Sequence, residues 1–270
     1  MRQDGKVVII TGATAGIGLA SAKALREAGF RVFGTSRRAA ANGLEGVTML
    51  ACDVTNDASV QQTVNQVLDA AGRIDVLVNN AGSGLMGAAE ESSIAQAKAL
   101  FEVNLFGVIR MSNAVLPAMR ARQAGRIINL SSILGLIPAP FAALYASTKH
   151  AIEGYSESLD HEVRAFGVRV CLLEPGYTRT SFEQNMVLAD RALDAYAVAR
   201  AQALAALQQE MTTAEGPDVV AAKVVEAATT TSPRHRYTCG KMAGRVSILR
   251  RFVPEGMFDK SLRKQMSLPA

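Results

Sequence analysis

The 270-residue chain contains no tryptophan, only three cysteines and three histidines, and 5% aromatic residues. Cys52, Cys171 and Cys239 are odd in number, widely spaced and outside any CxxC or Cys/His pattern. They therefore argue against a disulfide framework and a zinc site, and fit a reducing, cytoplasmic setting. His150, His161 and His235 share no motif with a carboxylate. There is no GxSxG elbow, and no Ser–His–Asp hydrolase arrangement is visible. The first apolar run, Val7 to Ile10, is too short for a secretory leader or a membrane span, so a soluble chain is expected. Internal repeats and low-complexity linkers are lacking too, which leaves no boundary to divide residues 1–270 into more than one domain.

Acidic residues are scarce in one place only. The net charge is +5, but residues 234–264 hold nine Lys/Arg against Glu255 and Asp259, a local excess of +7 that leaves the remainder at −2. The basic segment, residues 240–270, has no zinc-finger, RNP or helix-turn-helix pattern, so no nucleic-acid partner is expected. Its charges are interleaved with apolar residues, as in "VSILRRFVPEGMF", and read as the solvated face of short terminal helices.

Hydrophobic residues make up 49% of the chain, enough for a large core. β-Branched apolar runs at 7–10, 31–35, 47–51, 74–78, 126–130 and 168–173 alternate with helix-length stretches at 17–28, 57–71, 96–122 and 147–165, and a last short strand is expected near 235–239. This rhythm predicts an α/β fold: a Rossmann-type, doubly wound parallel sheet with helices on both faces. Ligands of such sheets sit at the carboxyl ends of the strands.

After the first strand comes "TGATAGIG", residues 11–18, in which Gly12, Gly16 and Gly18 follow a GxxxGxG spacing, with Thr14, Ala15 and Ile17 between them. Glycines there allow a tight turn and close approach to a pyrophosphate, and the helix N-terminus offers free N–H groups. Dinucleotide binding is indicated.

Together with "NNAG" (79–82), "VNLFG" around Asn104, "NLSS" (129–132), "YASTK" (145–149) and "LEPGYTRT" (173–180), the glycine loop resembles the short-chain dehydrogenase/reductase superfamily over residues 5–180. The resemblance implies a nicotinamide-dependent oxidoreductase acting on CH–OH and C=O groups. NAD-preferring members carry an acidic residue at the end of the second strand. Here Ser36, Arg37 and Arg38 stand there, and the planar guanidinium of Arg37 suits a 2′-phosphate, so NADP(H) is expected. The basic residue that many NADP-using relatives place before the second glycine is replaced by Ala15.

By the same resemblance, Asp53 and Val54 match adenine contacts, and Asn80, Ala81 and Gly82 match the strip beside the adenosine ribose. Pro175, Gly176, Thr178 and Thr180 match the loop over the nicotinamide. Asp57, nearer the helix start than Asp53, is the expected N-cap of the helix over 57–71.

Tyr145 matches the family's general acid/base and Lys149 its phenolate-stabilising, ribose-binding lysine. Ser132, rather than Ser131, matches the residue that holds the substrate oxygen, and Asn104 the one that retains a relay water. A tyrosine with a pKa of about 10 needs such a cation one helical turn away to be lowered toward neutrality. The spacing alone does not single out this pair, because "YTCGK" at Tyr237 to Lys241 repeats it; but a glycine lies within that repeat, and it occupies the expected last strand.

Segments 83–93, 133–144 and 181–213 should line the substrate pocket. Leu85, Met86, Ile133, Leu134, Phe141, Phe182 and Met186 make it apolar, although packing of a lid accounts for the same residues. "LEPGYTRTSF" looks like members acting on steroids, retinoids and similar molecules, so a lipophilic alcohol or carbonyl is the expected substrate and 181–213 its lid. The resemblance also implies a homodimer or homotetramer built through helices matching 97–122 and 145–165. Alternatives are a catalytically silent dinucleotide-binding scaffold, an NAD-dependent dehydrogenase of a small alcohol, or a sugar-nucleotide epimerase. Retention of Asn104, Ser132, Tyr145 and Lys149 argues against the first, and the GxxxGxG rather than GxxGxxG spacing against the last.

Overall fold

A computed structural model describes residues 5–38, 44–183 and 185–265. In chain order its strands are β1 (Val7–Thr11), β2 (Arg31–Ser36), β3 (Val47–Ala51), β4 (Val76–Asn79), β5 (Leu85–Met86), β6 (Gly125–Leu130), β7 (Val168–Pro175), β8 (Val187–Leu188) and β9 (Arg236–Cys239). The helices are α1 (Gly16–Glu27), α2 (Asp57–Ala71), α3 (Ile94–Phe101), α4 (Gly107–Ala121), α5 (Ala143–Val163), α6 (Ala197–Thr212), α7 (Asp218–Thr229), α8 (Lys241–Phe252) and α9 (Glu255–Gln265).

Seven strands form one parallel sheet in the order β3-β2-β1-β4-β6-β7-β9. Successive side chains of a strand point to opposite faces. Val8, Ile10, Val32 and Val78 accordingly meet Ala22, Leu25, Val220 and Val224 of α1 and α7. Val7, Ile9, Phe33 and Leu77 meet α2, α4 and α5 through Val60, Val64, Met111, Val115, Met119 and Leu159. Both faces are covered, which is why the strands are apolar without alternation, and the architecture is the doubly wound Rossmann type. Chain order reverses between β1 and β4, so a crevice opens at their carboxyl ends.

Two local features differ from the sequence expectation. The cap of α2 is Asn56, whose Oδ1 accepts from Ser59 N–H at 2.8 Å; Asp57 is the first helical residue, placed to meet the positive end of the helix dipole. The stretch expected as one helix over 96–122 is interrupted by a π-type turn, Glu102–Phe106, between α3 and α4. By length and composition Ile94–Ala121 could cross a membrane, yet Met111, Val115 and Met119 belong to the core.

Candidate active site

At the end of β1, Gly12 and Gly16 have φ of +68° and +53°, conformations that a side chain disfavours. A Cβ on Gly18 would lie 2.2 Å from the Gly12 carbonyl oxygen. Ala15, the N-cap of α1, provides no capping side chain, so the first-turn N–H groups face the crevice without an acceptor of their own. That arrangement fits a pyrophosphate. Thr14 and Ala15 are exposed along the loop, whereas Ile17 packs on the core.

The ends of β1 and β4 are tied together. Thr11 Oγ1 accepts from the N–H groups of Asn80 (3.0 Å) and Ala81 (2.9 Å), and Asn80 Nδ2 donates to the carbonyls of Thr11 (2.9 Å) and Gly12 (3.1 Å). The strip Asn80–Gly82 is thereby held against the glycine loop. Thr180 closes the other side, for a Cβ on Gly16 would come within 3.2 Å of its side chain.

Past β2, Arg37 and Arg38 are exposed. The Ser36 hydroxyl donates to the Arg38 carbonyl, which ties the loop together after β2. Asp53 accepts from Thr55 N–H and Oγ1 at 2.9 and 2.7 Å, bonds that hold its carboxyl below the usual range, with Arg37 among the charges acting the same way. Val54 turns its side chain into the core, against the Gly107 site.

On the far side of the crevice, Ser132 follows β6 and caps a short turn, Ile133–Gly135, accepting from Leu134 N–H at 3.1 Å. Tyr145 lies in the first turn of α5 and Lys149 in the next. Burial pushes the Tyr145 phenol up to about 12, opposed by a hydrogen bond with Ser132. Burial pulls Lys149 down to about 8, opposed by the charge of Glu153. The ammonium donates to Leu130 O at 2.8 Å and lies 5.6 Å from the Tyr145 ring centroid. Ser131, by contrast, is buried beside Glu153.

Asn104 is 1% exposed within the π-type turn, a feature frequent at functional sites. Its Oδ1 accepts from Ser83 N–H (2.8 Å) and its Nδ2 donates to Ser83 O (2.9 Å) and Thr148 Oγ1 (3.2 Å). The carboxamide thus braces the loop after β4 against α5. Pro175 ends β7, and Gly176 follows it against the end of the Met242 side chain, whose methyl lies 2.8 Å from where a Cβ would be. Thr178 Oγ1 donates to Gly176 O at 3.1 Å.

Described residues of 181–213 reach this crevice. Phe182 lies on Tyr145, ring centroids 6.1 Å apart, and Phe141, in the left-handed region at φ +61°, packs edge-on to Tyr196. The sequence did not reveal how the segment is held. β8 pairs with β5; Asp190 accepts from Ser93 N–H (2.8 Å) and Oγ (2.6 Å). The buried Glu91 carboxylate accepts from Ala88 N–H (2.9 Å), Leu193 N–H (2.8 Å) and the Arg200 guanidinium. "AEESS", two carboxylates amid apolar pocket residues, was the available signal.

A second unforeseen group lies behind Lys149. Arg236 approaches Glu153 (3.0 Å), Glu157 (2.6 Å) and Glu174 (3.1 Å), with Glu174 fully buried before Pro175. His235, which shares no sequence motif with a carboxylate, is brought by the fold to 3.4 Å from Asp160, which also pairs with Arg164 and Arg169. Tyr237 is a buried residue of β9, while Lys241 is exposed at the start of α8, so the two form no equivalent of the Tyr145–Lys149 pair.

Residues 6–191 match the family model for short chain dehydrogenase. The chain is 36% identical over 264 residues to 3-ketodihydrosphingosine reductase of Bacteroides thetaiotaomicron, covering 96% of this chain and 97% of that one. A short-chain dehydrogenase from Streptomyces avermitilis superimposes with a TM-score of 0.83 at 33% identity, over 99% of this chain and 96% of the other. Similar structures were solved with either nicotinamide dinucleotide: one from Burkholderia phymatum with NAD (TM-score 0.78, 29% identity, 93% and 94% coverage) and a metagenomic one with NADP (0.67, 31%, 87% and 96%). Fold, glycine loop and full-length relatives agree, and the chain belongs to the short-chain dehydrogenase family of oxidoreductases.

Proposed function

We propose that this chain interconverts a lipophilic carbonyl compound and its alcohol with NADP(H), Tyr145 serving as general acid/base. The observation that carries the reading is the convergence of Ser132 and Lys149 on Tyr145, at the crevice where the glycine loop and the Asn80–Gly82 strip meet. The nicotinamide supplies or takes the hydride when bound. Ser132 holds the substrate oxygen, and Tyr145 donates its proton to that oxygen in reduction or accepts one in oxidation. Burial keeps the Tyr145 phenol protonated at neutral pH, the form that can donate to a carbonyl oxygen. The hydrogen bond with Ser132 opposes that rise, and Lys149 lies 5.6 Å from the ring centroid, where its cation would stabilise a phenolate formed in the reverse direction.

Arg37, exposed past β2 with no carboxylate on that strand end, supports NADP(H) over NAD(H). Leu85, Met86, Phe141, Phe182 and Met186 around the crevice support an apolar substrate, and the similarity to 3-ketodihydrosphingosine reductase points to a ketone on a long alkyl chain. The segment 181–213 is its lid within a single domain over 1–270.

Absorbance of NADPH should be followed with purified protein and ketones of graded chain length, 3-ketodihydrosphingosine included. Oxidation is expected to be best with the long-chain ketone, and Tyr145→Phe to lower turnover roughly 10²–10⁴-fold, the usual worth of a general acid. Undiminished turnover in that variant, or preference for small polar carbonyls, would overturn the reading.

A further inference from the structure

The basic charges of the C-terminal segment are interleaved with apolar residues and were expected to form the solvated face of short terminal helices. The structure divides those apolar residues differently. Met242, Ala243 and Val246 of α8 and Phe258 of α9 pack on Ile133 and Ile137 beside the Ser132 turn, and Leu262 packs with Met86 and Ala203 against α6. Four others stand out from the described body: Ile248, Leu249, Phe252 and Met257 are 62%, 49%, 75% and 64% exposed.

These four lie at the tip of the α8–α9 hairpin. Lys241, Arg245, Ile248 and Phe252 stand at i, i+4, i+7 and i+11 on α8, one stripe on its outer side, all exposed. Arg250 and Arg251 are exposed beside them, their guanidinium carbons 5.4 Å from the Phe258 ring and 5.9 Å from the Phe252 ring. Residues 241–265 carry seven Lys/Arg against Glu255 and Asp259, an excess of +5.

We infer that this hairpin tip docks the chain on the surface of an anionic phospholipid bilayer. Charge selects the occupant. A second copy would set +5 against +5, and a nucleic acid would satisfy the cations but leave Ile248, Leu249, Phe252 and Met257 without apolar cover. A bilayer interface accepts both at once: the apolar tip enters the headgroup–acyl boundary while long basic side chains reach lipid phosphates. Docking there places the crevice beside Ser132 next to the membrane, because α8 packs on the turn that follows Ser132.

The test is co-sedimentation of the full chain with vesicles of phosphatidylcholine alone or mixed with phosphatidylglycerol, at low and high salt. Binding is expected only to the mixed vesicles, at least tenfold tighter at low than at high salt. It should fall about tenfold or more both in Ile248→Ser/Phe252→Ser and in Arg250→Glu/Arg251→Glu, with melting temperature and reductase activity in detergent unchanged. Neutral and anionic vesicles bound alike, no binding to either, or variants that bind as well as the parent chain would overturn the proposal. So would a smaller oligomer in the serine variant, which would make the tip a contact between copies, or RNA binding insensitive to Phe252→Ser, which would make it a nucleic-acid face.

Discussion

Three carboxylates share one guanidinium behind Lys149, and they cannot all be ionised without a charge cost. Glu174 is the most enclosed, and desolvation, followed by the charge of Glu153, pushes its carboxyl up to about 7. Its folded pKa therefore lies above the value of 4.5 for an unperturbed glutamate. Between these values the folded chain binds the proton more tightly than the unfolded one, so this contribution to stability is complete below about pH 4.5 and is lost as pH rises through about 7. Glu174→Gln, which keeps the shape and removes the titration, should melt about 3–5 °C higher than the parent at pH 8 and at the same temperature near pH 5. Thermal denaturation across pH 5–8 checks this; an unchanged slope in the variant would mean that another group titrates. Tyr145 and Lys149 were legible from the sequence because a spacing of four places them on one helical face within a recognisable frame. Glu174 was not, since a glutamate before Pro-Gly reads as a polar strand end, and Glu153 and Arg236 join it only through tertiary folding.

Among the elements, the strands of the parallel sheet were readable because burial on both faces forces β-branched runs, and the carboxyl ends of β1 and β4 follow from their order. β5 and β8 were not, being two residues each and defined by pairing between segments far apart in the chain. Their pairing, with Ser93–Asp190 and Glu91–Arg200, holds the 181–213 segment over Tyr145. Arg200→Ala removes the cation that, among the described residues, meets the buried Glu91 carboxylate, and the segment should then open more often. KM for the long-chain ketone is expected to rise roughly tenfold with a smaller change in kcat, while KM for NADPH stays the same, because the lost interaction acts on substrate retention rather than on hydride transfer. Limited proteolysis should cut the variant faster within 181–213. Equal KM and equal cleavage would show that Arg200 is not a latch. Arg200→Lys, which keeps the charge, should recover most of the difference.

At the scale of the whole molecule, cofactor preference can be read without catalysis. A ligand that binds only the folded chain stabilises it by RT ln(1 + [L]/Kd), about 2.7 kcal/mol at a hundredfold excess over Kd, which for a chain of this size corresponds to roughly 5–10 °C in melting temperature. The glycine loop, the Thr11–Asn80 tie and Thr180 would contribute equally to NADP(H) and NAD(H), since both carry the same pyrophosphate. Under the proposed preference the group that would separate them is Arg37, exposed past β2 where no carboxylate stands. NADPH should therefore raise the melting temperature several degrees more than NADH at equal concentration. Arg37→Ala should bring the NADPH shift down to the NADH value and leave the NADH shift unchanged, because only the phosphate contact is removed. If the variant loses both shifts alike, Arg37 supports the loop rather than reading the phosphate; if it retains the difference, the preference resides elsewhere in the adenosine half of the crevice.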